Sequence, residues 1–202
     1  MHILKANIRK GQGKIVAIKI YVDQGHNPVN PNAGAEGQGL REQNIVYRIG
    51  QELAALLRAD PAFEVRLSRP TPETQLGSSN ASSLAARVKD ANSWGADYFI
   101  SLHTNASELA AATGSEAFAY SRGGAGFALG EDILTALSRV TGLKNRGLFT
   151  RPSLYVLKRT AMPAVLVELG FITNARDAAL MNGQPQLFAQ GIYEGIRAYT
   201  GV

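Results

Sequence analysis

Three apolar, β-branched runs in this chain each end in an ionisable residue, and no other pattern restricts the fold as strongly. Ile15 to Val22 leads into Asp23-Gln24-Gly25-His26, Tyr98 to Leu102 into His103-Thr104-Asn105, and Ala164 to Val167 into Glu168-Leu169-Gly170. Such runs read as parallel strands buried on both faces, and open α/β sheets bind ligands in the crevice beyond the carboxyl ends of their strands. Two histidines and a glutamate therefore converge on one sheet edge. Metal-assisted hydrolysis is the first chemistry they suggest.

Strand-like runs are expected at about 15–22, 63–68, 97–103, 115–120, 154–157 and 163–169, with helix-period segments between most of them. Residues 40–59 give the clearest helix: Ile45, Ile49, Leu53, Leu56 and Leu57 form an apolar stripe that Asp60-Pro61 stops. A second helix at 80–94 has Asn80 as its candidate cap and Gly95 after its end, and two more are expected near 125–141 and 185–199. This alternation predicts an α/β fold, a single domain with a twisted, mostly parallel central sheet and helices on both faces. With 202 residues, 45% of them hydrophobic, and no long linker, one domain over 14–202 is expected behind an N-terminal arm or linker at 1–13.

Composition excludes several chemistries. The absence of cysteine removes disulfides, thiolate nucleophiles and Cys-based zinc sites, so any zinc must use His and carboxylates. No apolar stretch approaches the ~18 residues of a membrane span, and no Gly-x-Ser-x-Gly elbow marks a serine hydrolase. The net charge of +5 favours an anionic partner, but it is scattered. Its one local cluster, Lys5, Arg9, Lys10 and Lys14, has no interleaved aromatics, and no nucleic-acid partner is expected.

Extending the apolar stripe of the 40–59 helix backwards from Ile45, Val46 and Ile49 lands on Glu42, which puts a carboxylate on the core-facing side of the first turn. An acid there needs a partner, because burying a lone carboxylate is costly. Glu36 is the rival, but it sits in the Gly-rich loop 32–39, where solvation is easy. Catalytic zinc usually takes three protein ligands, often two His and one Glu. Of the three histidines, His2 is terminal, so His26, Glu42 and His103 form the available set, enough for one zinc ion. Glu168 remains as a base beside it. Taken singly, each residue also has a plain structural reading, such as a loop histidine, a helix-dipole partner or a buried ion pair. Together those readings require four coincidences at sheet edges.

These residues resemble the zinc-dependent N-acetylmuramoyl-L-alanine amidases of the amidase-3 family, from about Lys14 to Tyr199. The matched motifs are Val22-Asp23-Gln24-Gly25-His26, Asn32-Ala33-Gly34-Ala35, Gly39-Leu40-Arg41-Glu42, Leu67-Ser68-Arg69 and Leu84-Ala85-Ala86-Arg87. They continue with Ala96 to Ala106, Gly114 to Phe118, Leu154 to Leu157 and Met162 to Asn174. The resemblance implies a zinc carboxypeptidase-like fold, with His26, Glu42 and His103 holding zinc and Glu168 catalytic. It also implies peptidoglycan as substrate, cut between N-acetylmuramic acid and L-alanine, and hence an extracytoplasmic working location at the cell wall or periplasm. The chain departs from the family at Gln24, where Pro is usual, and at Asn27-Pro28, in place of a second Gly. Both departures bear on loop shape and substrate preference rather than on the ligands.

Four further residues are candidates for substrate contact. Asn105 shares the strand face of His103 if the strand continues, and Glu116 could support the site from a neighbouring strand. Arg69 and Arg87 could grip carboxylates of the stem peptide or neutralise Glu42. Two other functions compete: a wall-binding module without catalysis, and a zinc carboxypeptidase dependent on a free terminal carboxylate.

Overall fold

The computed structural model describes residues 10, 11 and 14–202, so most of the expected arm at 1–13 lies outside the described residues. A short antiparallel ribbon, β1 (Lys10–Gly11) with β2 (Lys14–Ile15), precedes the domain. The central sheet has six strands: β3 (Ile18–Gln24), β6 (Phe63–Leu67), β7 (Tyr98–Asn105), β8 (Ser115–Ala119), β9 (Asn145–Thr150) and β10 (Ala164–Phe171). Their spatial order is β6-β3-β7-β10-β8-β9. The first four are parallel, β8 runs against β10, and β9 follows β8. A small hairpin, β4 (Glu36–Gly37) with β5 (Leu40–Arg41), leads into α1 (Glu42–Ala59).

Strand parity divides the core into two layers. Ile20, Val22, Ile100, Leu102, Val165, Val167 and Leu169 pack on one face with α1, α3 (Ala125–Thr141) and α6 (Pro185–Thr200), through Ile49, Leu53, Ile133, Leu137, Phe188 and Ile192. The alternate residues Tyr21, Phe99, Phe118 and Leu166 pack on the other face with α2 (Asn80–Trp94) and α4 (Tyr155–Arg159). Burial on both faces explains the predominantly apolar runs, which only Lys19 and Ser101 interrupt. The same parity carries Asp23, Ser101, His103, Glu116 and Glu168 onto the α2 and α4 face, where apolar residues give way to polar ones towards the carboxyl ends of the parallel strands.

Two expectations need correction, and two elements were not expected. The run at 154–157 is not a strand but the start of α4, where adjacent Val156 and Leu157 are both buried and the Lys158 N–H donates to the Leu154 carbonyl. So short an apolar run fits either period. The strand in that region is β9, an edge strand too polar and exposed to show as an apolar run. The cap of α2 is Ser79 rather than Asn80: its hydroxyl accepts from the Ser82 N–H, while the Ser82 hydroxyl accepts from the Ser79 N–H. Gly95 ends α2 in the left-handed conformation, as expected. One helix escaped the sequence pattern, α5 (Ala175–Gly183), which Asn174 caps.

Candidate metal centre

His26 follows β3, His103 lies near the end of β7, and Glu42 opens α1, so three elements each bring one side chain to the same edge. Donor atoms of the three lie within 4.8 Å of one another. Each oxygen of the buried Glu42 carboxylate meets one imidazole and one backbone N–H. Oε1 is 3.0 Å from His103 Nδ1 and accepts from the Thr104 N–H at 2.9 Å, while Oε2 is 3.1 Å from His26 Nε2 and accepts from the Ala35 N–H at 2.8 Å. Burial alone would raise the pKa of Glu42, but hydrogen bonds from His103 and His26, together with their charge, hold it well below the ordinary carboxylate range.

The surroundings leave no slack around these groups. A Cβ on Gly25 would meet the His103 ring at 2.5 Å, and one on Gly34 would meet both Glu42 Oε2 and His26 Cδ2 at 2.8 Å. His26 Nδ1 is buried without a hydrogen-bond partner among the described residues. Two imidazoles and one carboxylate, oriented by backbone N–H groups, fit the donor preferences of a divalent metal such as zinc. Glu36 is excluded from the set. It is exposed in β4 and paired with Arg41 at 3.1 Å.

Glu168 lies in register with His103 on one side and Glu116 on the other. Its Oε2 is buried and has no hydrogen-bond partner among the described residues. Burial pushes its pKa up to about 7, with the charges of Glu42 and Glu116 adding to the rise and those of His103 and Arg151 opposing it. Asn105 and Glu116 do come together: the Asn105 amide donates to Glu116 Oε1 at 2.8 Å, and Arg146 donates to Oε2 at 2.8 Å.

The carboxylate-gripping role considered for Arg69 and Arg87 does not survive. Each is only 1% exposed and is held by internal partners. Arg69 donates to the Gln43 and Pro72 carbonyls, both at 3.0 Å, and stacks over Tyr47. Arg87 pairs with Asp23 and donates to the Gln24 carbonyl at 2.7 Å and to the carbonyl of His26. His26 has φ of 65°, a left-handed conformation that costs a non-glycine residue about 1–3 kcal/mol, so the Arg87 contact helps hold a donor residue in a strained position. Asp23, which carries no role in the sequence reading, completes this network by accepting from the Ser101 hydroxyl at 2.7 Å. The two departures at Gln24 and Asn27 also turn inward. Gln24 joins the Arg69 N–H to the Tyr47 carbonyl, and Asn27 clips its loop to Pro31 and Leu76.

Arg87→Met should destabilise the fold by about 3–5 kcal/mol at neutral pH, because Asp23 stays buried with no countercharge. Burial raises the pKa of Asp23, yet the charge of Arg87, then hydrogen bonds from Ser101 and Arg87, bring it below its ordinary value. The contribution of the pair is therefore complete above ~pH 4 and fades as pH falls through the lowered pKa. Thermal denaturation of both proteins across that range checks this; a gap that stays constant or widens on acidification would contradict it.

A mostly parallel sheet that presents two imidazoles and a carboxylate at its ligand-binding edge, beside a half-buried glutamate whose Oε2 has no partner among the described residues, belongs to the α/β class with metallohydrolase-type sites. The comparisons narrow the class. Residues 20–198 match the N-acetylmuramoyl-L-alanine amidase family, and the chain belongs to it. It is 36% identical over 180 residues to the N-acetylmuramoyl-L-alanine amidase CwlM of Bacillus licheniformis, covering 88% of this chain and 65% of that protein. The catalytic domain of CwlV, an N-acetylmuramoyl-L-alanine amidase from Bacillus (Paenibacillus) polymyxa var. colistinus, superposes with a TM-score of 0.80 at 30% identity, covering 92% of this chain and 99% of that one. The CwlD amidase of Clostridioides difficile, solved in complex with the GerS lipoprotein, gives a TM-score of 0.83 at 26% identity, covering 91% and 98%. The chain spans between about a third and two thirds of the length of the first curated relatives it matches.

Proposed function

We propose that this protein is a zinc-dependent peptidoglycan amidase that hydrolyses the amide between N-acetylmuramic acid and the L-alanine of the stem peptide. The observation that carries the reading is Glu168, a half-buried carboxylate whose buried Oε2 has no partner among the described residues and whose pKa is raised, beside the His26, Glu42 and His103 donors. Family membership supports the substrate.

His26, Glu42 and His103 would hold one zinc ion per chain, which when bound supplies Lewis acidity for the scissile carbonyl and lowers the pKa of water. Glu168 takes a proton from the water that attacks the carbonyl carbon. It then returns that proton to the departing alanine nitrogen, which could otherwise leave only as an amine anion. Its free Oε2 suits this work, since no internal hydrogen bond has to break first. A wall-binding module would gain nothing from a glutamate with one oxygen buried and unsatisfied, which costs stability unless chemistry uses it. The peptidoglycan substrate implies an extracytoplasmic place of work, and no helix among the described residues is long and apolar enough to cross a membrane.

Purified peptidoglycan should yield new L-alanine amino termini without new reducing sugar ends. Chelation should abolish the release, and zinc should restore it. Full activity in protein shown to be metal-free would sink the zinc assignment, and release of reducing ends would sink the amidase assignment.

A further inference from the structure

With Arg69 and Arg87 buried and Arg146 paired to Glu116, Arg151 remains, among the described residues, as an unpaired cation whose charge reaches Glu168. Among the described residues it forms no ion pair and no side-chain hydrogen bond, and it is exposed. It is nevertheless held in place. Its N–H donates to the Ala119 carbonyl at 2.9 Å, its carbonyl accepts from the Leu154 N–H at 3.1 Å, and its guanidinium carbon sits 4.4 Å from the centre of the Phe118 ring. Phe118 pairs with Leu166, two residues before Glu168 on the same face of β10, and the charge of Arg151 is felt at Glu168. Along the face, the order is therefore the donor set at the ends of β3 and β7 and the start of α1, Glu168 on β10, then Phe118 on β8 with Arg151 over its ring.

Taken with the amidase reading, this order orients the substrate. The scissile carbonyl lies towards the donor set and the departing alanine nitrogen towards Glu168, so the stem peptide continues towards β8 and β9. On that orientation the residue after L-alanine, one ~3.3–3.6 Å step further along an extended peptide, falls on the Arg151 side of Glu168. We propose that Arg151 is a substrate-positioning residue that binds the carboxylate of the stem-peptide residue following L-alanine, and so selects free-acid over amidated stems. A guanidinium already laid on an aromatic ring loses little freedom on engaging a carboxylate and presents its fork for a paired contact.

The test uses two muramyl tripeptides that differ only in the residue after L-alanine, one with a free α-carboxylate and one with an α-carboxamide. Wild-type protein should cleave the acid with the higher kcat/KM. Arg151→Ala should lower kcat/KM on the acid by about 10- to 100-fold, mostly through KM, and leave the amide nearly unchanged, the scale expected when a hydrogen bond to a charged group is lost. Arg151→Lys should recover part of the loss. Because the side chain is exposed, the variant should keep the wild-type circular dichroism and melting temperature. Equal losses on both substrates, or a wild type indifferent to the carboxylate, would overturn the proposal while leaving the amidase reading intact. A zinc-loaded wild type that cleaves neither compound nor polymeric peptidoglycan would overturn both.

Discussion

Glu168→Gln should keep the fold and the bound metal while hydrolysis of the muramyl amide falls by roughly 100-fold or more, the scale usual for a general acid-base group. The amide keeps the shape and hydrogen-bonding capacity of the carboxylate but cannot take a proton at neutral pH. The pH profile gives a second readout. Burial pushes the pKa of Glu168 up to about 7, and a neighbouring cation would pull it down, so the wild-type kcat/KM should rise with pH through a limb at or below ~7. That limb should be absent in the variant. A structural carboxylate would behave in the opposite way, with lower stability and near-normal turnover. Release of L-alanine amino termini at the wild-type rate would refute the role of Glu168.

Glu42→Ala should cost metal affinity more than the ~10–100-fold typical of removing a supporting partner. Glu42 is a candidate donor, and its two oxygens also align both imidazoles and the Ala35 and Thr104 N–H groups. Glu36→Ala should leave affinity unchanged, because Glu36 is exposed and paired only with Arg41. Zinc titration of the two variants, each checked for folding by circular dichroism, compares the two acids. Equal retention of zinc by Glu42→Ala and wild type would mean that the third ligand lies elsewhere.

Much of this architecture was legible in the chain because burial imposes a local signature. Strands covered on both faces must be mostly apolar, so β3, β7 and β10 announced themselves, and an ionisable residue ending each run stood out against its neighbours. The stripe of α1 likewise pointed Glu42 inward, since a helix that buries Ile45 and Ile49 also turns its first-turn residue towards the core. Strand β9 gave no such signal. An edge strand exposed along most of its length has no apolar run to display.

The sequence by itself thus determined the α/β class and the main strands and helices, which follow from which residues must be buried within one element, and it pointed to His26, Glu42, His103 and Glu168 as residues at or near the ends of those elements. The use of each arginine was decided only by tertiary structure. Arg87 meets Asp23 across 64 residues of sequence and Arg146 meets Glu116 across 30, and local periodicity does not encode such pairings. The same holds for Val156 and Leu157, which suit a strand or a helical turn equally until α2 and the sheet supply the surface they pack against. A charge or a short apolar run takes its role from the partner that folding brings to it, and that partner comes from another part of the chain.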